Sequence, residues 1–314
     1  MPKISICIPT FNRVNLLPLA INSVLQQTEQ DFELIICDDG STDGTSEMMS
    51  ELTDSRIRYI RHPQNIGKSN NMRSGFDAAT GDYFIKFDDD DRLTSEFLAK
   101  TTAILDQDPQ IDFVGTDHWI INIDNIRDEI ATQTNSQRWG RTTLKAGEVE
   151  NLLQVVFVQQ SFQIGATLFR RQALLDVGYM RPNIQNCEDN DLLVRLAIAG
   201  KKAYYLPERL MEYRVHSEQQ GIDRAIPYLR DKVQYLNSYQ FDDQVLENIR
   251  RSRLQESQLF LGLRLIENGE TQKGQQLVWE SQSYSRGKAW TGLLLSLLPM
   301  GLRGNAFEML RKIR

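Results

Sequence analysis

The sequence predicts an α/β fold: an open, mostly parallel, doubly wound sheet followed by a helical extension. Three observations carry this reading. From Ile4 to Leu105, short β-branched apolar runs alternate with stretches of helical periodicity, the signature of βαβ units. The unusual polar clusters fall where those runs end, and open parallel sheets bind ligands outside the carboxyl ends of their strands. After Pro109 the alternation lapses, and from Ala225 the pattern is helical.

Ile4-Ser5-Ile6-Cys7-Ile8-Pro9 reads as a strand buried on both faces. A helix over residues 14–26 follows, since Leu16, Leu17, Ala20, Ile21, Val24 and Leu25 share one face. A strand over 32–37 opens onto Asp38-Asp39-Gly40-Ser41-Thr42-Asp43-Gly44. A helix over 45–52, a strand over 57–60 and a helix over 68–79 precede a strand over 83–87 that stops on Asp88-Asp89-Asp90-Asp91. Four adjacent carboxylates repel one another and raise each other's pKa, so this run calls for a cation. A solvated loop opening the next helix, over 94–105, is the plain alternative. Its position beside Pro9-Thr10-Phe11-Asn12-Arg13 and Asp38-Asp39-Gly40-Ser41 weakens that alternative. The segment from Pro9 to Arg13 has no Gly, which disfavours dinucleotide and P-loop sites. A diphosphate held here would lean on Mg²⁺ or Mn²⁺ bridging it to the carboxylates.

Beyond Pro109, strands are expected at 111–115, 119–123 and 165–169, partly antiparallel. Cys187-Glu188-Asp189-Asn190-Asp191 places acids in the first turn of a helix continued by Leu192, Leu193, Leu196 and Ala197, as dipole-complementing caps or as groups aimed into a cleft. His216 ends the strand-like segment Tyr213-Arg214-Val215-His216. Farther on, Val245, Leu246, Ile249, Leu259, Phe260, Leu263 and Ile266 lie on helical faces, Asn268-Gly269 is a stop, and residues 271–281 form a returning helix.

The bulk composition, 40% hydrophobic and 25% charged over 314 residues, suits a globular enzyme. A net charge of −6 argues against a nucleic-acid binder. Cys7, Cys37 and Cys187 are odd in number and widely spaced, so they read as buried reduced thiols of a cytosolic protein. No signal peptide precedes the first strand, and no apolar run reaches the roughly 18 residues of a membrane span. Residues 285–314 carry six basic side chains (Arg286, Lys288, Arg303, Arg311, Lys312, Arg314) against Glu308, among Trp290, Leu294, Leu297 and Met300. That excess predicts a tail that meets an anionic membrane or packs on its own domain or a partner.

With these residues in view, the sequence resembles the family 2 glycosyltransferases, enzymes of GT-A fold that use nucleotide-diphospho-sugars. The resemblance runs from Ile4 to His216 and rests on ordered motifs: Ile8-Pro9-Thr10-Phe11-Asn12-Arg13, Ile36-Cys37-Asp38-Asp39-Gly40-Ser41-Thr42-Asp43, Asn65-Ile66-Gly67, Ala79-Thr80-Gly81-Asp82-Tyr83 leading into the acids, Glu188-Asp189, and Tyr213 to His216. It implies a GT-A fold with residues 1–108 as the nucleotide-sugar half and 109–218 as the acceptor half of the same domain; beyond the resemblance, periodicity and charge make 219–314 a helical region with a basic amphipathic tail. It implies that Asp90 binds Mn²⁺ or Mg²⁺, joined by His216, and that Asp88 and Asp89 approach the ribose and sugar. Asp39 would accept the uracil or thymine N3 proton, with Pro9, Thr10, Phe11, Arg13, Gly67, Lys68 and Arg73 around the donor. Asp189 falls on the general base. Asn71-Met72-Arg73 departs from the family's usual small residue, Arg and Asn, which puts Arg73 and Lys68 in question. The expected activity is inverting, metal-dependent transfer from a UDP- or dTDP-sugar to a saccharide or glycolipid acceptor in surface polysaccharide or lipopolysaccharide assembly, at the cytoplasmic face of the membrane, with no nucleic-acid partner. A sugar-nucleotide nucleotidyltransferase would need a Gly- and Arg-rich loop after the first strand, and a non-catalytic binding module would not need both Asp189 and the acidic run.

Overall fold

The computed structural model describes residues 1–216 and 225–312. The chain divides into two compact units, residues 1–217 and 218–314.

The first unit begins with the expected alternation: β1 (Ile4–Thr10), α1 (Leu17–Leu25), β2 (Phe32–Asp38), α2 (Thr45–Ser50), β3 (Ile57–Arg61), α3 (Lys68–Ala78) and β4 (Tyr83–Lys86). Helix α1 starts later than its periodicity suggests because Pro18 occupies its first turn, where a missing N–H costs nothing. β5 (Arg92–Leu93) and α4 (Phe97–Gln107) lead into β6 (Phe113–Ile121). The two strands expected at 111–115 and 119–123 are one, joined through polar Thr116-Asp117-His118 with register shifts against its neighbour. Then come α5 (Glu129–Arg138), β7 (Gly147–Glu148), β8 (Thr167–Arg170), α6 (Arg171–Val177), α7 (Glu188–Ile198) and β9 (Ala203–Arg214).

The described strands form one sheet in the order β3-β2-β1-β4-β8-β6-β9-β5, with β7 also on β9. β1 to β4 are parallel neighbours. β8 runs antiparallel to both β4 and β6, while β6 and β9 are parallel. One core, built on Ile4, Ile6, Ile8, Leu34, Ile36, Ile85 and Phe87 of the strands and Leu17, Ile21 and Phe97 of the helices, continues to Val114, Leu168 and Met211. Cys7, Cys37 and Cys187 are buried and reduced. Gly75 of α3 lets the helix approach β1 and β2, since a Cβ there would stand 2.1 Å from the Cys7 sulfur and 2.7 Å from that of Cys37.

The second unit holds α8 (Ala225–Asn237), α9 (Gln244–Glu267), α10 (Thr271–Glu280), α11 (Arg286–Leu295) and α12 (Met300–Lys312). Its core gathers Leu259, Leu263, Ile266, Val278, Ala289 and Phe307. Gly262 and Gly274 bring α9 and α10 together, each Cβ position lying under 3 Å from the other's carbonyl oxygen. Arg303 is not a tail surface cation. It is buried and donates to the carbonyls of Leu298, Ile266 and Ser296 and to the Thr271 hydroxyl. Arg314 and the side chains of Arg311 and Lys312 lie outside the described residues.

Candidate active site

Parallel register gathers the polar loops at one sheet edge: Thr10 pairs with Asp38 and Cys7 with Lys86. Beyond β1, Asn12 takes a left-handed conformation (φ 55°) and laces the first loop to the second. Its N–H donates to the Ser41 hydroxyl and its carboxamide oxygen accepts from the Thr42 N–H, both at 2.9 Å. Pro9 and Thr10 are buried and Phe11 is exposed. Asp39 fastens a third loop, accepting the N–H of Ile66 (2.7 Å) and of Gly67 (3.1 Å). Gly67 is required there by its φ of 88°. Burial raises the pKa of Asp39, and the two N–H groups moderate the rise. Each of its oxygens keeps a lone pair for a further donor.

The four acids after β4 have four different environments. Asp88 accepts from the Lys86 ammonium at 2.7 Å. Lys86 itself is only 1% exposed. Burial opposes its charge, yet Asp189 and Asp88 outweigh burial and hold its pKa above the usual value. Burial likewise opposes ionisation of Asp88, and Lys86 with Lys68 brings its pKa below the ordinary carboxylate range. Asp89 is pushed up to about 7 by burial and by Asp90, against the pull of the Thr10 hydroxyl and of Arg13. Asp90 Oδ2 lies 3.0 Å from His216 Nε2. Asp91 is buried and accepts the Arg214 N–H at 2.8 Å, while the Arg214 guanidinium holds the Asp90 carbonyl (2.6 Å), the Asn122 carbonyl (2.9 Å) and the Asn125 side chain (2.8 Å). Burial, then Asp90, raises the Asp91 pKa well above normal. Asp91 and Arg214 thus pin the acidic turn to the end of β9 and carry Asp90 to His216.

At the start of α7 two of the three acids are committed. Glu188 is buried against Lys68 (2.7 Å), and Asp191 against Arg195 (2.8 Å) and Arg181 (3.4 Å). Asp189 is the remaining one. Its Oδ2 lies 3.8 Å from Lys86 Nζ, and its Oδ1 has no hydrogen-bond partner. Lys86 therefore bridges Asp88 at the sheet edge and Asp189 at the helix N-terminus.

Asp189 also lines a pocket of about 410 Å³ with His118, Trp139, Gln160, Phe162 and Tyr213 among its walls. His118 is buried, and burial, then the Arg141 guanidinium, lowers its pKa to about 4. Arg141 Nη2, which can only donate, sits 3.3 Å from His118 Nε2. The same Nε2 lies 3.2 Å from Asn135 Oδ1, and Nδ1 is buried without a partner. A carboxylate and aromatic walls together suit a polyhydroxylated ligand.

The structure thus brings Thr10, Asp39, Gly67, Lys68, the acidic run, Asp189 and His216 to one end of the sheet. Arg73 is a brace: it donates to the carbonyls of Met180 (2.6 Å) and Gly178 (3.2 Å). Among the described residues no three His, Cys, Asp or Glu side chains form a metal cluster of their own. Two residues of the site escape sequence reading. Lys86 was marked only by being a charge inside an apolar strand, which demands a partner when buried. His118 carries no local signal, because its place depends on the irregular β6–β9 register.

Residues 5–177 match the family described as Glycosyl transferase family 2. The chain belongs to that family. A GalNAc(5)-diNAcBac-PP-undecaprenol beta-1,3-glucosyltransferase of Campylobacter jejuni is 42% identical over 103 residues, 32% of this chain; the chain spans about a third (33%) of that relative's length. Among solved structures, S. aureus TarS 1-349 in complex with UDP-GlcNAc aligns with a TM-score of 0.65 at 14% identity, covering 98% of this chain and 92% of that one. The mannosyltransferase PcManGT from Pyrobaculum calidifontis, in complex with GDP-Man and Mn²⁺, aligns with a TM-score of 0.60 at 15% identity, covering 99% and 86%. The structural likenesses show the GT-A fold. No helix of the described residues is long and apolar enough to cross a membrane.

Proposed function

We propose that this family 2 glycosyltransferase is an inverting, metal-assisted enzyme that moves a sugar from a UDP- or dTDP-linked donor to a hydroxyl of a saccharide or glycolipid in surface polysaccharide or lipopolysaccharide assembly. One observation supports it most: Asp189, with one carboxylate oxygen uncommitted, is tied through Lys86 to the acids of the donor edge and borders a pocket.

In this reading residues 1–108 hold the donor. Asp39 accepts the N3 proton of the base through its spare lone pairs, Pro9, Thr10, Phe11 and Gly67 line the nucleoside, and Asp88 and Asp89 approach the ribose and sugar. Lys68 and Arg13 contribute positive charge beside the diphosphate. Asp90 and His216 fit Mn²⁺ or Mg²⁺: one carboxylate and one imidazole are a small donor set, suited to an ion that completes its shell with phosphate oxygens and water. When bound, the ion offsets the negative charge that develops on the departing diphosphate.

The acceptor occupies the pocket beside Asp189, walled largely by residues 109–218. Asp189 takes the hydroxyl proton as that oxygen bonds to the anomeric carbon, on the face opposite the breaking bond to the diphosphate, so configuration inverts. The Campylobacter relative, named for a polyprenyl-diphosphate-linked oligosaccharide, supports a lipid-linked saccharide as acceptor.

The test is thermal melting with a panel of UDP-, dTDP- and GDP-sugars with and without Mn²⁺, because a ligand that binds only the folded state raises its melting temperature. The donor that stabilises most is then incubated with saccharide and glycolipid acceptors and the product's anomeric configuration is read by NMR. A UDP- or dTDP-sugar that stabilises only with Mn²⁺, and an inverted product, are expected. Stabilisation by none of them, or a retained configuration, overturns the proposal.

A further inference from the structure

The second unit presents an apolar face that its own core does not use. On α11, Ala289 and Gly292 face inward, the latter close against Leu263. Trp290 and Leu294, one turn apart, and Leu297 in the turn that follows α11, are 52%, 65% and 77% exposed. Leu302 and Met309, seven residues apart on α12, are exposed too, while Phe307 turns to the core. Trp279 of α10 meets Trp290 edge to face with ring centroids 6.0 Å apart and is itself exposed. Scattered exposed apolar residues are ordinary, but five large ones on three consecutive helices, with Leu297 in the turn between the last two, are a patch.

The surrounding charge identifies what covers it. Arg286 and Lys288 are exposed on the first turn of α11, and Glu308 is the single acid of residues 285–314. Indole rings and aliphatic side chains beside a cationic rim match the boundary between acyl chains and anionic headgroups. A second copy is the poorer fit, since a two-fold contact would set the same cations against each other. Arg303 holds the end of α11, the start of α12 and the end of α9 together through the carbonyls of Ser296, Leu298 and Ile266, so the face is presented by a fixed pair of helices.

We infer that the α10–α12 face, centred on Trp290, Leu294 and Leu297, docks the protein on an anionic lipid bilayer without crossing it. This goes beyond the location expected from the sequence by naming the surface and the lipid class. Vesicle binding is read without donor or acceptor, so its outcome is separate from that of the transferase reading.

The experiment is co-sedimentation of the full chain with phosphatidylcholine vesicles with and without phosphatidylglycerol, at low and high salt. The wild type should sediment with the anionic vesicles and be released by salt. The triple variant Trp290→Ser, Leu294→Ser, Leu297→Ser should lower the bound-to-free ratio at least about tenfold. A second variant, Arg286→Glu with Lys288→Glu, leaves the apolar face whole and should abolish the preference for phosphatidylglycerol even if the first proves unstable. Failure of the wild type to sediment, anionic binding unchanged in the charge variant, or unchanged binding in a folded triple variant overturns the inference. So does a dimer in sedimentation velocity that the triple variant dissociates, for then a second copy covers the face.

Discussion

Replacing Lys86 with Met removes the cation between Asp88 and Asp189 while keeping the length of the side chain. Lys86 is 1% exposed and its ammonium lies 2.7 Å from Asp88 and 3.8 Å from Asp189. Removing one partner of a buried ion pair leaves an uncompensated charge and costs about 3–5 kcal/mol. For a unit of this size, at about 2–4 °C per kcal/mol, melting should fall by about 6–20 °C near neutral pH. The pH dependence identifies the cause. In the wild type, Lys86 and Lys68 overcome burial and hold the Asp88 carboxyl below its usual range, so its contribution is present above the unfolded pKa and lost as pH falls through the folded one. Without Lys86, burial raises that pKa, the folded state binds a proton the unfolded state releases, and stability is lost as pH rises. The deficit of Lys86→Met should therefore be clearly larger at about pH 8 than at about pH 5 by circular dichroism melting. A melting temperature within about 2 °C of the wild type, or the same deficit at both pH values, refutes the reasoning.

His118 gives a complementary pH signature. With its folded pKa near 4 and an unfolded value near 6.5, the unfolded chain alone takes up a proton between them, so stability falls by about 3 kcal/mol as pH drops through that window. Denaturant titrations of His118→Gln should show a flatter slope there, and an unaltered slope would count against a buried neutral ring. Asp90→Ala should weaken UDP binding in the presence of Mn²⁺ by about tenfold or more and leave metal-free binding unchanged; calorimetry that finds equal affinities with Mn²⁺ would remove Asp90 from the metal site. His216→Ala should act in the same direction and add little to Asp90→Ala, because residues sharing one partner are not additive.

The first half of the fold is legible because parallel strands buried on both faces read as near-continuous apolar runs. Ile4–Thr10, Phe32–Asp38 and Tyr83–Lys86 all do. The second half is not, because its strands are polar where they hold non-local partners. Asp117 in the middle of β6 is satisfied by Arg141 (2.7 Å) and Ser136 (2.8 Å), so a continuous strand looks like two. β9 contains Pro207, Glu208 and Arg209 and is buried in alternation only at its ends, so only Tyr213 to His216 stood out. In the site, the acidic run and Glu188-Asp189 were visible as motifs. Which acid serves which purpose was not, because it follows from the donors that the folded chain brings to each: Lys86 to Asp88, Lys68 to Glu188, Arg195 and Arg181 to Asp191, and the Arg214 backbone N–H to Asp91. The basic tail shows the converse, since Arg303, counted as a surface cation by composition, is an internal hydrogen-bond hub.

The central claim is that Asp189 is the base that activates the acceptor hydroxyl while the donor site stands without it. Single-turnover transfer by Asp189→Asn, with the best-stabilising nucleotide sugar and Mn²⁺ saturating, tests this directly. The account predicts that the donor still raises the variant's melting temperature as it does the wild type's, while transfer falls by about 10²-fold or more. Transfer at the wild-type rate would contradict it and place the base elsewhere in the cleft.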